Sequence, residues 1–319
     1  NGARWPIPSF SRDSFYNYNN GHIMKVLITG SNGQLGLSFQ SRSNLAASIG
    51  IQLLFADRQQ LDITQPAAIS KFLQQNPVDM IVNTAAYTAV DRAESEADQA
   101  TLINCVGPEN LARYCAQHNC GLIHVSTDYV FDGNQEKPYC EKDSASPLGV
   151  YGETKFQGEL AVLREFPQAI ILRTSWVFSE FGNNFVKTML RLAQTQDHLR
   201  VVCDQWGAPT YAPHIAEAIL GLIKHHQKAS AGIYHFSGDQ KTHWQAFAIE
   251  IFTIAVKHNP SFPVPEVAPI SSAEYPTPVT RPLNSHMSSQ KILELLPDVN
   301  RNWRQGILDT IDALQQDTK

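Results

Sequence analysis

Over residues 25–178 the chain alternates two patterns. Short, continuously apolar runs occur at KVLITG (25–30), IQLLFAD (51–57), VDMIVNTAA (78–86), GLIHVSTDYVF (121–131) and AIILRTSWVF (169–178). Runs that are apolar at successive positions suit strands covered on both faces, as in a parallel sheet. Between them, apolar residues recur every three or four positions at 33–49, 65–76, 97–119 and 152–166, which predicts helices. Pro66 stands where a first helical turn tolerates proline, and Gly107-Pro108 predicts a break in the third helix. Strands alternating with helices predict an α/β fold built on a doubly wound parallel sheet, with right-handed crossovers.

After about residue 179 the alternation loosens. Helical spacing persists at 184–194, 212–226, 243–257 and 302–316, and the proline-rich stretch 259–282 reads as an ordered loop or edge segment over a site. The predicted organisation is a nucleotide-binding domain at 24–178 and a mainly substrate-binding lobe at 179–319, some of whose segments return to the sheet. Residues 1–23 are rich in Asn, Ser and aromatics and lack the apolar core of a signal peptide. Met24 opens the first apolar run and reads as the natural start, with 1–23 an N-terminal extension or cloning remnant.

Composition narrows the function classes. The chain has 319 residues, 43% hydrophobic and 17% charged, with a formal net charge of −5. There is no run of Lys and Arg, so nothing suggests a nucleic-acid partner. Apolar stretches stay well short of the roughly 18 residues a membrane span needs, so no membrane partner is expected. Five cysteines form no C-x-x-C pair. A disulfide framework or zinc site is therefore not expected, and a reducing, cytoplasmic setting is.

Two clusters carry candidate chemistry. TGSNGQLG (29–36) places Gly30, Gly33 and Gly36 between the first strand and a helix. Such a loop turns tightly, lets the backbone approach a pyrophosphate, and aims unpaired helix N–H groups at it. The implied fold is Rossmann-like, and the implied cofactor is NADPH or NADH. Asp57 and Arg58 end the second strand side by side. A carboxylate there suits the ribose 2′-OH of NAD and an arginine the 2′-phosphate of NADP, so the choice stays open. Asp62, with Ile63, either borders the adenine or caps the next helix. The second cluster is Tyr151 and Lys155, four residues apart and hence on one helix face. Of the ten tyrosines, only Tyr151 has a lysine four positions on, and that geometry lets an ammonium act on a phenol.

With these residues in place, the chain resembles the extended short-chain dehydrogenase/reductase family. The TGxxGxxG loop, NTAA (83–86) after the third strand and the Tyr-x-x-x-Lys come in that family's order, although NTAA lacks the family's usual Gly. Further blocks narrow the likeness: AAYTAVDRAES (85–95), VSTDYVFDG (125–133), SPLGVYGETK (146–155), RTSWVF (173–178), GNNFVKTMLRLA (182–193), DQWGAPT (204–210) and YPTPVTRPLNS (275–285). They are similar to the dTDP-4-dehydrorhamnose reductase family and run from residue 24 to about 300.

The resemblance implies reduction of a sugar C4 ketone in nucleotide-sugar and cell-surface polysaccharide biosynthesis, with a dTDP-sugar as partner. Tyr151 would give the proton, with its pKa lowered from about 10 by Lys155. Lys155 would also hold the nicotinamide ribose, and Thr127 the substrate carbonyl. Cofactor contacts are implied at Asn32, Gln34, Leu35, Ala85, Ala86, Tyr87 and Val125 beside the glycines, and Asn104 would support the site. Thr88, Val90 and Trp176 would meet the deoxysugar, with Asp128 and Tyr129 beside it. Asn183, Asn184, Gln205, Trp206 and Arg281 would meet the nucleotide diphosphate. For Trp176 and Trp206 the competing reading is core packing, and for Arg281 a surface ion pair.

Tyr129 stands where the related 4,6-dehydratases carry a Glu after the Thr-Asp pair, which disfavours water elimination. Some family members are dimers holding an interface magnesium through glutamates. The corresponding positions here are Ser38 and Pro213, which offer no carboxylate, so no metal is expected and monomer or homodimer stays open. Two other readings stand beside reduction of this sugar. One is a reductase of a different dTDP-4-keto-6-deoxysugar. The other is a non-catalytic subunit like the β subunit of methionine adenosyltransferase, against which Tyr151, Lys155, Thr127 and Trp176 all argue.

Overall fold

The computed structural model describes residues 23–316, so residues 1–22 of the N-terminal segment lie outside it. Six strands form one sheet: β1 (Met24–Thr29), β2 (Ile51–Ala56), β3 (Met80–Asn83), β4 (Gly121–Thr127), β5 (Ile170–Thr174) and β6 (Gly232–His235). Their order is β6-β5-β4-β3-β1-β2, and every neighbouring pair is parallel. The chain steps outward from β1 to β2, then crosses back to β3 on the other side of β1. That reversal leaves a crevice beyond the carboxyl ends of β1 and β3, where ligands bind in open α/β sheets.

The alternating strand residues explain the layers. Val26, Ile28, Val82, Ile123 and Leu172 face one side, where Ile215, Ile219 and Leu222 of the helix Ala212–Lys224 cover them. Leu27, Ile81, Leu122 and Ile171 face the other, under Ile69 and Leu73 of Pro66–Gln75, Leu111 and Cys115 of Gly107–His118, and Val162 of Val150–Glu165. A third apolar cluster lies outside the sheet. It joins the helices Phe185–Ala193, Trp244–His258 and Trp303–Gln316 to the parallel strand pair His198–Val202 and Glu266–Ile270. The last of these strands lies within the proline-rich stretch.

Several predicted elements change in detail. The pattern at 33–49 is two helices, Gln34–Ser41 and Ser43–Ser48, separated at Arg42, whose guanidinium donates to Glu217 at 2.8 Å. The predicted break at Gly107-Pro108 is instead a continuous path: a π-helical turn, Leu102–Val106, joins Ala97–Thr101 to Gly107–His118. A widened turn accommodates the amide that Pro108 lacks without ending the helix. The fourth strand stops at Thr127 and passes into a 3-10 turn, Asp128–Val130. The fifth run splits into Ile170–Thr174 and Val177–Phe178, with Trp176 between them at φ 46°. After 179 the chain returns to the sheet twice, as the helix Ala212–Lys224 and as β6.

Candidate active site

A cavity of about 1120 Å³ opens at the carboxyl ends of β1, β3, β4 and β5. At one end lies the glycine loop. Gly30 sits at φ +65°, and a Cβ there would stand 2.7 Å from the Ala85 Cα. Gly36 does not face the cavity. A side chain on it would strike the Ser31 Cα at 2.5 Å, so this glycine lets the helix close on its own loop. Gly33 is the N-cap of Gln34–Ser41 and provides no side-chain cap, leaving first-turn amides for an anion. The loop thus fits a pyrophosphate.

Asn32, Gln34, Leu35, Asp57, Arg58, Asp62, Ile63, Ala85, Ala86 and Val125 all line this part of the cavity. Asp57 is already engaged: Oδ2 accepts from Asn32 at 2.8 Å, and Oδ1 from the Gln59 and Gln60 amides at 2.9 and 3.0 Å. Asp62 accepts from the Thr64 amide and hydroxyl, whereas Gln65 is the N-cap of the next helix. It therefore closes a turn and does not cap the helix.

Tyr87 and Asn104 stand behind the wall and not in it. The Tyr87 hydroxyl donates to Glu96 at 2.6 Å, away from the cavity. Asn104, in the π-helical turn, accepts from the Tyr87 amide at 2.8 Å. Its Nδ2 donates to the Tyr87 carbonyl and the Thr154 hydroxyl. Asn104 thus ties the loop after β3 to the helix that carries Tyr151.

Thr127, Tyr151 and Lys155 come together at the centre. Gly149 in extended conformation starts the helix Val150–Glu165, which puts Tyr151 in its first turn and Lys155 one turn on. Gly158 lets this helix press on the Asn104 carbonyl, which fixes its height against the sheet. Lys155 is buried and donates to the Val125 carbonyl at 2.7 Å, with His124 Nε2 at 3.5 Å. The expected lowering of the Tyr151 pKa is not found. Burial pushes the phenol up to about 12, with Thr127 pulling the other way by hydrogen bonding and the Asp128 charge adding to the rise. Burial also lowers the Lys155 ammonium to about 8, against a smaller upward pull from Glu159. Near neutrality Tyr151 is therefore held firmly in its acid form, the form a proton donor needs.

Asp128 is buried, accepts from the Thr127 hydroxyl at 3.1 Å and is pushed up to about 6, mainly by burial. Tyr129 meets Tyr151 edge to face, with centroids 5.5 Å apart.

Thr88, Val90, Trp176, Asn183, Asn184 and Arg281 also line the cavity. Trp176 stacks on Trp244 with centroids 3.6 Å apart, so it serves both the wall and the packing of the lobe. Asn184 caps Phe185–Ala193 and donates to Gln34 at 2.8 Å, linking the lobe to the glycine-loop helix. Arg281 lines the cavity and pairs with Asp91 at 3.0 Å. Gln205 and Trp206 are not brought to the cavity. Gln205 donates to Ser272 at 2.9 Å, and the exposed Trp206 lies under Lys241. Consecutive strand residues point to opposite faces. Here Gly207 meets the Trp176 ring, so Trp206 turns away. Ser38 and Pro213 are buried in helices that pack on each other.

Sequence reasoning missed Trp244, Asp91, Thr174 and Ser175, all of which line the cavity. Asp91, Thr174 and Ser175 lay in quoted blocks without being singled out, and Trp244 lay in none. Trp244 opens a helix whose other apolar residues read as core, and nothing local marks it as cavity-facing.

Comparison with known proteins agrees with this geometry. The family model described as RmlD substrate binding domain matches residues 24–316. A dTDP-4-dehydrorhamnose reductase of Aggregatibacter actinomycetemcomitans is 42% identical over 289 residues, 89% of this chain and 97% of that one. Its namesake in Sinorhizobium fredii is 39% identical over 91% of this chain and 98% of that one. Among solved structures, a dTDP-4-dehydrorhamnose reductase from Clostridium acetobutylicum superposes with a TM-score of 0.83 at 38% identity, covering 92% of this chain and all of that one. The Bacillus anthracis enzyme of the same name, in complex with NADP, gives 0.82 at 33% identity, covering 91% of this chain and 99% of that one. The chain belongs to the dTDP-4-dehydrorhamnose reductase family.

Proposed function

We propose that this protein reduces the C4 ketone of dTDP-4-dehydro-6-deoxy-L-mannose to give dTDP-L-rhamnose, using NADPH or NADH, in the cytoplasm. One observation carries the reading: a single cavity is lined by the glycine loop, by Thr127, Tyr151 and Lys155, and by Trp176, Asn183 and Arg281. A dinucleotide seated on the glycine loop would supply the hydride to C4.

The chain's own residues account for the rest. Tyr151 holds a proton at its phenol oxygen and gives it to the C4 oxygen as charge develops there. Thr127 shares that oxygen and keeps the ketone in the plane of attack. Its backbone is fixed by pairing with β5, where Thr127 is in register with Thr174. The forked guanidinium of Arg281 suits a diphosphate and would have Asp91 to leave or share. Asp57 is occupied by backbone amides while the Arg58 side chain is exposed at the same rim, which favours a cofactor carrying a 2′-phosphate. Tyr129 offers no carboxylate for a dehydratase step.

The test is NAD(P)H oxidation followed by absorbance with a panel of dTDP-4-keto-6-deoxysugars. Turnover should require the keto-sugar and be fastest with the named one. Tyr151→Phe should reduce kcat by about 10²–10⁴-fold, the usual worth of general acid catalysis, at unchanged thermal stability. Wild-type turnover in that variant would end the proton-donor assignment.

A further inference from the structure

We propose that His124 is a positioning residue that, through a fixed Nε2–H, biases Lys155 toward its neutral amine and so lets Lys155 release a proton during turnover. The observation is a buried chain of hydrogen bonds beneath the catalytic cluster. Thr29 donates to Asn83 Oδ1 at 2.7 Å, Asn83 Nδ2 meets His124 Nδ1 at 2.9 Å, and His124 Nε2 lies 3.5 Å from Lys155 Nζ. Asn83 and His124 are 1% and 0% exposed, so no water resolves the polarity of these contacts.

The direction of the chain follows from one donor that cannot be reversed. The Ala85 backbone N–H donates to Asn83 Oδ1 at 3.2 Å. A backbone amide has no acceptor character, so that atom is the oxygen and the other is the NH₂. The NH₂ must donate, which makes His124 Nδ1 an acceptor without a proton. A neutral imidazole then carries its proton on Nε2, aimed at Lys155. Burial holds His124 well below its usual range, and the Lys155 charge adds to this, so the ring is neutral at any working pH.

An ammonium has three donors and no acceptor, so His124 Nε2–H opposes it. A neutral amine has a lone pair that accepts this N–H and still donates to the Val125 carbonyl. The other charged groups around Lys155 leave this bias standing. From its own helix come Tyr151, which is protonated, and Glu159, which favours the ammonium but is held by Arg173 of β5 at 2.6 Å. The Asp128 charge bears on Tyr151. No carboxylate is paired with Lys155 among the described residues.

This inference rests on the ketoreductase reading for its turnover step. In that step the Tyr151 O–H bond breaks and an O–H bond forms at the C4 oxygen. The phenolate regains a proton at the expense of a Lys155 N–H. The resulting amine lone pair accepts the His124 Nε2–H bond until solvent water reprotonates it. His124 neither gains nor loses a proton.

The test has an arm that needs no substrate. In ¹⁵N-histidine-labelled protein, the His124 resonances, assigned by their loss in His124→Gln, should show a neutral ring protonated on Nε2 throughout about pH 5–9. Protonation on Nδ1, or titration within that range, overturns the proposal. In ¹³C-lysine-labelled protein, Lys155 should titrate about one pH unit higher in His124→Leu, a tenfold gain in proton affinity. His124→Gln, which retains an N–H donor, should stay close to wild type. An unshifted Lys155 in His124→Leu reduces His124 to packing. If wild type shows no keto-sugar turnover, the ketoreductase reading fails while the tautomer and titration results stand or fall on their own. Where turnover is present, the upper inflection of kcat against pH should move with the Lys155 titration.

Discussion

Lys155 and Glu159 lie four residues apart on the helix Val150–Glu165, one turn from each other on the same stripe, and burial has opposite consequences for them. Both are almost fully buried, at 2% and 1% exposure. Glu159 is held in a two-pronged pair by Arg173, at 2.9 and 2.6 Å, with the guanidinium also over the Phe131 ring. Lys155 has only a carbonyl and a neutral imidazole. A buried charge with a counter-ion is fixed, because its protonation state and geometry are both locked. A buried charge without one remains chemically movable, and Lys155 answers by titrating at about 8, below the usual lysine range. One helix thus carries a reactive end and an inert end, and the difference is set by what β4 and β5 present to each.

Lys155→Met should break the comparison most visibly. It removes both the ammonium and its cost of burial. Activity should fall by about 10²–10⁴-fold, in line with loss of acid–base catalysis. Stability near neutrality should rise by roughly 2–3 kcal/mol, the value of the depressed pKa less one hydrogen bond to Val125. Denaturant melts beside kcat would test this, and a less stable variant would mean that Lys155 holds the fold together.

Glu159→Gln should do the reverse. It leaves the Arg173 charge buried without its partner, which typically costs about 3–5 kcal/mol. Below its lowered melting temperature the variant should turn over at close to the wild-type rate, because Glu159 does not reach the cavity. A large loss of kcat with little loss of stability would show that the two ends of the helix are not separate.

The reactive end was far more legible in the sequence than the inert one. Gly30, Tyr151 and Lys155 obey local rules: a turn that needs positive φ, and a helical spacing that brings two side chains to one face. The first five strands announce themselves because a covered parallel strand must be apolar along its length. The Glu159–Arg173 pair joins a helix to a strand, and no local spacing reports it. β6, Gly232–His235, is too short and too polar to read as a sheet strand. The π-helical turn that positions Asn104 depends on how Pro108 is accommodated in three dimensions. The family resemblance implied that Trp206 meets the nucleotide diphosphate, yet strand alternation sends Gly207 inward and Trp206 out. Whether a side chain faces the cavity is a property of packing, and a motif constrains it only within one or two turns.

pH sharpens the comparison without altering the active-site geometry. For Lys155 the folded pKa of about 8 lies below the unfolded value of 10.5. The unfolded chain binds more protons between these values, so stability rises with pH across about 8 to 10.5 and levels off above. Asp128 has the opposite sign, being raised from 3.8 to about 6. Its contribution is complete below about 4 and is lost as pH rises through 6. Each accounts for roughly 3 kcal/mol. Urea melts across pH should lose the alkaline slope in Lys155→Met and the acidic one in Asp128→Asn, while Glu159→Gln keeps both. A wild type flat in both windows would mean that neither group is shifted by burial.

The solvent face of the same helix gives the smallest expected effect and the control for the rest. Glu153 is exposed and accepts from Gln157 one turn on, at 2.7 Å. This exposed i, i+4 hydrogen bond is worth about 0.2–0.5 kcal/mol, and an acidic side chain in a first helical turn adds a similar amount through the helix dipole. Glu153→Ala should therefore cost less than about 1 kcal/mol, leave kcat and KM unchanged, and lose only the helix-dipole part of its effect in high salt. Glu153 lies only two residues from Tyr151 and two from Lys155, so sequence proximity would place it in the active centre. If Glu153→Ala matched Lys155→Met in activity or Glu159→Gln in stability, helix position would outweigh what each face meets. A near-silent variant, set between two with large and opposite consequences, would show that the contacts offered by the cavity, β5 and water decide what each residue of this helix does.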